Sequence, residues 1–356
     1  MENMRVNHLP SLTWNALHMN DSRVDSAVTA GEAYIEKNLS MGLEEGIRGG
    51  EELPCFEKIK TGMGPDMDAL RKEGSMEPVQ VTVPAGVKEQ VLRLHIQRKP
   101  GESAFLPVEI AAEEDSEITV FVDDTGVKEE AGGTLALQFR ADVKKGAKVR
   151  LVQVQLLSSQ EQKLNDVGVS CADEGRFETL QLFLGAGKTY AGCRADLAGK
   201  GSSMAADIGY LGRETQSYDF NYEAVHKGKK TRSDMTASGV PWDHASKLFR
   251  GTIDFRNGSA GSSGDEKEDV LLMDEGVVNR TIPLILCAEE DVEGNHGASI
   301  GKLDDELLFY LVSRGMSREE ACKMVARARI DALSRRLGDE ALSQQVQKYL
   351  EEVFHG

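Results

Sequence analysis

Apolar and polar residues alternate through the middle of this 356-residue chain, most clearly in Val149–Leu156 and Phe177–Leu184. Turns rich in Gly, Asp and Asn separate these short segments. Alternation of this kind predicts strands that bury one face. The predicted strands are Val79–Val83, Val91–Ile96, Glu117–Val122, Thr134–Phe139, Lys148–Leu156, Asp166–Val169, Arg176–Leu184, Thr189–Leu197, Ser203–Tyr210, Gln216–Ala224, Lys230–Ala237, Lys247–Phe255, Asp269–Met273 and Ile282–Cys287.

No helical pattern interrupts residues 77–286, which excludes repeated strand–helix–strand units. Two architectures remain. One is a large antiparallel sandwich, and the other is a parallel β-helix with two or three short strands per coil. A strand spacing of about ten residues fits both, and the chain has no strict hexapeptide repeat.

The pattern changes after the apolar run Ile282–Ala288, which predicts a last strand. Residues Glu289–Gly301 then predict an acidic, glycine-rich turn that holds His296. From Asp304 the apolar residues recur with helical spacing. The first helical face is formed by Leu307, Leu308, Leu311 and Val312.

Gly315 fits the position just beyond the end of that helix. Ser317 and Glu320 then have the spacing of a capping box, so they predict the start of a second helix. The apolar face predicted for this second helix is Ala321, Met324, Val325 and Ala328.

Residues 1–76 predict a partly helical segment broken by glycines, with one or two helical turns at Asp66–Lys72. Trp14 is expected to anchor this segment on the core.

The net charge of −17 argues against nucleic acid and against an anionic membrane surface as partners. No apolar run reaches the roughly 18 residues of a membrane-spanning helix, and the first residues lack a secretory signal pattern. We therefore expect a cytoplasmic protein. The five cysteines include no C-x-x-C pair, so neither a disulfide framework nor a zinc site is expected.

Three further stretches have features of binding sites. Residues 185–189, GAGKT, resemble the end of a phosphate-binding loop, but Leu182 stands where the first glycine is required and a strand is predicted to follow. Residues 258–269 combine glycine, serine and charge, which predicts a mobile loop. The basic cluster 226–233 fits a subunit or anion contact, or a solvated turn.

His296 is the candidate ligand, because a neutral imidazole binds iron and several carboxylates lie close in sequence. Those carboxylates are Glu289, Glu290, Asp291 and Glu293. The alternative is a histidine that hydrogen-bonds across the turn or between subunits.

The carboxy-terminal stretch resembles the signature of the SufB/SufD family of iron–sulfur cluster assembly proteins, and SufD-type members most closely. The matching residues are Asp291, Val292, His296, Gly297, Ala298, Ser299, Gly301, Leu303, Asp304, Asp305, Phe309, Tyr310, Leu311, Ser313, Arg314, Gly315, Met316, Ser317 and Ala321. One departure matters, since Gly294 stands where family members often have a cysteine.

The resemblance implies a right-handed parallel β-helix core with helical segments capping its ends. The chain then divides into an N-terminal partly helical segment at 1–76, a β-helix core at 77–287 and a C-terminal helical domain at 288–356.

The resemblance also implies a non-catalytic scaffold subunit of the SUF complex. Its β-helix would pair with a SufB-type subunit or with itself, and its C-terminal helices would dock a SufC-type ABC ATPase. No cofactor is expected to be tightly bound, but His296 would contact a transient iron–sulfur cluster, or its iron, at the subunit interface. The expected docking residues are Leu308, Phe309, Tyr310, Ser313, Arg314, Gly315 and Met316.

Some of these docking residues have the alternative role of packing helices onto the end of the coil, Leu308 and Leu311 above all. Two other functions use a parallel β-helix. A polysaccharide lyase or hydrolase fits the fold, although the aromatic fraction of 6% is low for stacking on sugars. A sugar-nucleotide acyltransferase requires the hexapeptide repeat that the chain lacks.

Overall fold

A computed structural model describes residues 3–12, 17–24, 34–39, 47–48, 55–73, 77–99, 101–125 and 132–355. The core is a parallel β-solenoid of about seven turns. Of the two architectures left open by the strand spacing, the β-helix is therefore confirmed, with two strands per turn. Within the described part of the chain, no helix is long and apolar enough to cross a membrane.

The elements are, in chain order, β1 Met4–Val6, β2 Ser22–Val24, β3 Tyr34–Leu39, β4 Ile47–Arg48, α1 Pro65–Glu73, β5 Val79–Val83, β6 Gln90–Gln97, β7 Ala104–Ala112, β8 Glu117–Thr125, β9 Gly133–Val143, β10 Lys148–Leu156, β11 Glu161–Cys171, β12 Arg176–Phe183, β13 Lys188–Leu197, β14 Ser203–Gly212, β15 Ser217–His226, β16 Arg232–Pro241, β17 Ser246–Phe255, β18 Ser262–Leu272, β19 Val278–Cys287, β20 Val292–Lys302, α2 Asp305–Ser313, α3 Arg318–Ser334 and α4 Glu340–His355.

Odd-numbered strands from β5 to β19 form one parallel sheet, and even-numbered strands from β6 to β20 form the other. At the first turn, β4 and β3 join these sheets in antiparallel orientation. Successive strands stack in register, so that Arg176 pairs with Ser203, and Ser203 pairs with Arg232. Side chains that face the interior therefore form rows along the solenoid axis, and these rows are mostly Val, Leu, Ile, Ala and Phe.

The N-terminal segment packs on the outer face of the odd-numbered sheet. Side chains from β1, β2 and α1 cover apolar residues of β7, β9 and β11, as Met4, Val6, Val24, Met67 and Leu70 lie against Phe105, Ala136 and Leu164. The helix predicted at Asp66–Lys72 is confirmed as α1. The anchor predicted at Trp14 lies outside the described residues.

Helices α3 and α4 pack across the outer face of the even-numbered sheet, where strands β8 to β16 expose a second apolar surface. That surface is Phe121, Val152, Val154, Leu180, Leu182, Leu184, Leu211 and Val240, covered by Ala326, Ile330, Leu337, Leu342, Val346, Leu350 and Phe354. The expectation that these helices cap the last coil was wrong. A sheet that is apolar on both faces has to be covered along its length, which the helices do.

Two stretches predicted as turn or loop are strands. The glycine- and charge-rich stretch 258–269 leads into β18, where Glu266 and Glu268 are buried. Most of the predicted acidic turn Glu289–Gly301 is β20, which pairs with β18 from Val292 onward. The predictions failed because neither strand shows apolar alternation. The inward positions of β18 include Gly264, Glu266 and Glu268, and most of β20 is exposed. Strand β7 was also missed.

The buried face of α3 differs from its prediction as well. Ala321 is buried as expected, but Met324 is exposed and Ala326 and Ile330 are buried. Ala326 and Ile330 are the α3 residues that lie against the outer apolar face of the even-numbered sheet, and the helical spacing alone did not identify them. The division of the chain into domains at 76 and 287 stays a prediction.

Candidate functional site

The solenoid ends in two open strand edges. Strands β19 and β20 are each the last strand of their sheet, and no strand among the described residues pairs with their outer edges. Most of the residues of β20 are exposed. A row of free backbone donors and acceptors is a surface on which another strand can pair.

His296 lies on this open end, on the row of side chains that faces the interior. Its partner in the register of the sheet is Glu266 of β18, whose side chain is buried in the interior. Residues that pair in a parallel in-register sheet point to the same face. No further coil covers the row, so the imidazole of His296 is exposed.

Gly294 and Cys287 border the same end of the interior. A Cβ atom built on Gly294 would lie 3.1 Å from Phe255 Cε2 and 3.1 Å from Ile285 Cγ2. Cys287 of β19 pairs in register with the core residue Phe255. The Cys287 side chain therefore belongs to the row that faces the interior. It is exposed because no further coil covers the last one. The register of β19, which the sequence alone did not provide, thus places Cys287 next to Phe255, the same core residue that borders Gly294.

Among the described residues, no group of three or more His, Cys, Asp and Glu side chains is placed to hold a metal ion. The nearby acid Glu289 instead accepts a hydrogen bond from Gly258 N at 2.9 Å, and backbone hydrogen bonds, that one above all, lower its pKa. The carboxylates close to His296 in sequence do not converge on it.

A buried charged cluster lies one strand below His296, and sequence analysis missed it by treating β18 as a loop. Lys247 donates to Glu268, and both side chains are buried. Burial, and next the charge of Glu268, raise the pKa of Glu266 to about 7, although Lys247 opposes this. In the part of the chain that is described, Glu266 Oε2, Glu268 Oε2 and the Tyr210 hydroxyl are buried without hydrogen-bond partners.

The second region is the helix–glycine–helix element, whose predicted caps at Gly315 and at Ser317 with Glu320 are confirmed. Asp304 accepts a hydrogen bond from Glu306 N at 2.9 Å at the start of α2. Gly315 has φ of 96°, the left-handed conformation that ends a helix. Ser317 and Glu320 form the predicted capping box of α3. These caps fix the turn between the two helices.

Most of the predicted docking residues are on the surface of this element. Phe309 is 75% exposed and Tyr310 is 52% exposed, whereas Leu308 is buried and contributes to packing. The guanidinium of Arg314 lies over the Tyr310 ring at 5.0 Å, and Ser313 Oγ donates to Tyr310 O at 2.8 Å. Gly315 is exposed and Met316 is half-buried.

Sequence analysis missed part of this surface. Three more apolar side chains of the element are exposed, namely Leu307, Val312 and Met324. The helical spacing had placed Leu307, Val312 and Met324 on the predicted apolar faces, so their exposure was not expected. Together with Phe309, Tyr310 and Arg314 they form what we call the α2 surface. Large exposed apolar patches occur at interaction sites of proteins.

The basic cluster at 226–233 is a corner of the solenoid. His226 is buried, with Nδ1 2.7 Å from Thr231 Oγ1 and Nε2 2.9 Å from Ser233 Oγ. Burial lowers the pKa of His226 to about 4, which keeps the ring neutral. Lys227 pairs with Asp196 at the surface. Residues 185–187 form a turn between β12 and β13, so no helix follows the GAGKT stretch.

Comparison with known proteins places this architecture in a family. Residues 95–329 match the family described as SUF system FeS cluster assembly, SufBD core domain. The chain is 25% identical over 269 residues to the iron–sulfur cluster assembly protein SufD of Bacillus subtilis, which covers 74% of the chain and 61% of that protein.

The chain is 26% identical over 196 residues to SufB of Bacillus subtilis and, equally, to a SufBD family protein of Staphylococcus saprophyticus. Each of these matches covers 55% of the chain and 42% of the relative. The chain thus spans less than two thirds of the length of each of these relatives. Because the matched core covers well over half of its residues, the chain belongs to the SufBD family of SUF-system iron–sulfur cluster assembly proteins.

Proposed function

We propose that this chain is a non-catalytic scaffold subunit of a SUF iron–sulfur cluster assembly complex, with a SufD-type role. The observation that carries the proposal is the open end of a SufBD-family solenoid, where His296 stands on an unpaired edge strand. The open strand edge and the exposed histidine fit a protein that acts by binding a partner subunit rather than by catalysing a reaction.

Pairing would take place through the outer edges of β19 and β20. The partner is a SufB-type subunit or a second copy of this chain, because either solenoid would present parallel strand edges of the same kind. Main-chain hydrogen bonds across the edges would supply affinity, as in other cases of strand addition.

The cargo would be held where the two solenoids meet. His296 of this chain would supply one nitrogen ligand to iron or to a nascent cluster, and the partner would supply the rest. This division of ligands agrees with the finding that, among the described residues, no group of side chains is placed to hold a metal ion. An imidazole that instead hydrogen-bonds to the partner is the alternative.

The α2 surface would dock a SufC-type ABC ATPase. Its exposed Phe309 and Tyr310, with Arg314 stacked on Tyr310, have the aromatic and arginine character of interface anchors.

Contacts inside the chain connect the two regions. Helix α3 packs on β14 and β16, and Arg329 of α3 pairs with Asp269 of β18 at 3.0 Å. Asp269 is in turn the register partner of Ser299 on β20. When the docked ATPase closes on ATP, it would move the helices. The contacts from α3 through Asp269 to β20 would then transmit this movement to the open end of the solenoid.

The proposal is tested by reconstitution. The chain is co-purified with a SufB-type subunit and a SufC-type ATPase of the same organism, then loaded anaerobically with ferrous iron and sulfide. We expect a stable complex with the visible absorbance of an iron–sulfur cluster. Failure of the chain to join either partner, with a normal melting profile, would overturn the scaffold role.

A further inference from the structure

A groove of about 900 Å³ lies on the side of the solenoid away from α3 and α4. One wall is formed by Arg5 and residues 18–23 of the N-terminal segment. The other wall is formed by residues at or near the starts of β13, β15, β17 and β19. The groove therefore runs along the solenoid axis toward the open end.

The carboxylates of this groove are already neutralised. Asp21 pairs with Arg5. Asp219 accepts from Arg250 Nη1 at 2.6 Å, and Arg250 Nε also donates to Met19 O at 2.7 Å. Arg250 is fully buried, so these contacts tie the N-terminal segment to the sheet and make the floor of the groove rigid.

Two other arginines of the groove take no part in these ion pairs. Arg23 stands on β2 and Arg280 on β19, so they line the groove from opposite walls. Both are exposed, and neither guanidinium has an ion pair or hydrogen bond with any other residue that the structure describes. Two like charges around one groove favour an anion between them.

The remaining lining suits an organic phosphate. The side chains of Ser217 and Ser246 carry hydroxyl groups that can donate to phosphate oxygens. Tyr190 is half-buried, and its hydroxyl contacts Arg23 O at 3.4 Å, which leaves the aromatic ring beside the arginine. Leu248 adds an apolar side chain. Guanidinium forks match phosphate geometry, and an aromatic face can stack on a heterocycle.

We propose that this groove binds a small phosphate-bearing molecule, with its anionic group between Arg23 and Arg280. The volume accommodates a nucleotide-sized ligand, whereas the acidic remainder of the surface opposes a nucleic acid. The site is separate from the α2 surface and from His296. It does not depend on the scaffold role.

Calorimetric titration of the full chain at low salt tests the proposal, with inorganic pyrophosphate and ATP as probes. The test variant is Arg23→Gln with Arg280→Gln. The matched control removes two exposed cations elsewhere, as Lys99→Gln with Arg232→Gln. All replaced residues are on the surface, and melting profiles verify folding.

We expect the wild-type chain to bind at least one probe, the groove variant to bind it at least about tenfold more weakly, and the control to stay within about twofold. Tighter binding of ATP than of pyrophosphate, lost in Tyr190→Leu, would assign a nucleotide-type ligand. Equal binding would assign the phosphate group alone. Binding of neither probe, or an equal loss in the control, would overturn the site.

Discussion

His296 on β20 stacks in register directly over Glu266 on β18, so an exposed imidazole lies one strand above a buried carboxyl group. Glu266 shares its interior with Glu268 and Lys247, which pair with each other. The open end of the solenoid is thus polar just beneath its surface.

The first prediction concerns Glu266 and pH. Burial raises its pKa from 4.5 to about 7, so the folded chain keeps this proton at pH values where the unfolded chain has lost it. The stability that the proton provides is therefore complete below pH 4.5 and is lost as the pH rises toward 7. At about 1.4 kcal/mol per pKa unit, the loss is on the order of 3 kcal/mol.

Glu266→Gln removes this dependence. We expect the variant to be more stable than the wild type at pH 8 by about 1–3 kcal/mol, and by much less at pH 5. Urea denaturation at pH 5, 6, 7 and 8 measures the difference. Glu275→Gln is the control, because Glu275 is 92% exposed. Parallel stability curves for Glu266→Gln and the wild type would contradict the assignment.

The second prediction concerns the buried pair Lys247–Glu268. Lys247→Met leaves Glu268 as an unpaired buried charge, for which we expect a loss of about 3–5 kcal/mol in the free energy of unfolding. Adding Glu268→Leu removes the unpaired charge and should recover a large part of this loss. A double-mutant cycle at pH 7 measures the coupling. Additive effects of the two substitutions would show that the ion pair contributes nothing.

The third prediction separates folding from cargo binding at His296. The side chain is exposed, so His296→Ala should change the free energy of unfolding by less than about 0.5 kcal/mol. In the reconstituted complex, iron and sulfide retained after gel filtration should fall severalfold. Asn295→Ala, on the neighbouring residue, is the control and should retain the cargo. Equal iron content in both variants would remove His296 from the cargo site.

The fourth prediction concerns the C-terminal helices as structural elements. A chain ending at Gly301 lacks α3 and α4, which exposes the outer row that includes Leu180, Leu182 and Val154. We expect this truncated chain to aggregate and to bind a hydrophobic dye strongly. Soluble, cooperatively folding protein from the truncated chain would show that the helices are dispensable for the core. Point variants of the α2 surface therefore test docking better than truncation.

Much of the fold could be predicted from the sequence, because each strand of the solenoid places apolar residues at alternate positions that face the interior. Alternating apolar residues located most strands, and Gly315, Ser317 and Glu320 located the turn between α2 and α3. The alternation did not distinguish a sandwich from a β-helix, because both bury one face of each strand. The family resemblance made that choice.

What sequence did not reveal depends on register and packing. The charged stretch that contains Glu266 and Glu268 is typical of a surface loop, whereas the pairing of β18 places both side chains in the interior. Cys287 and His296 are nine residues apart, and only the register of β19 and β20 shows that both lie on inward rows of the last coil. Arg23 and Arg280 line one groove only because the N-terminal segment packs on the odd-numbered sheet.

The most direct test of the scaffold role is co-purification of the full chain with the SufC-type ATPase of the same organism. The variant Phe309→Ala with Arg314→Glu changes the α2 surface, and Arg232→Glu on β16 is a control with the same charge change. We predict that the wild type and the control retain the ATPase, whereas the α2 variant loses it with an unchanged melting profile. Absence of any complex with the wild type, or full retention by the α2 variant, would contradict docking through these helices.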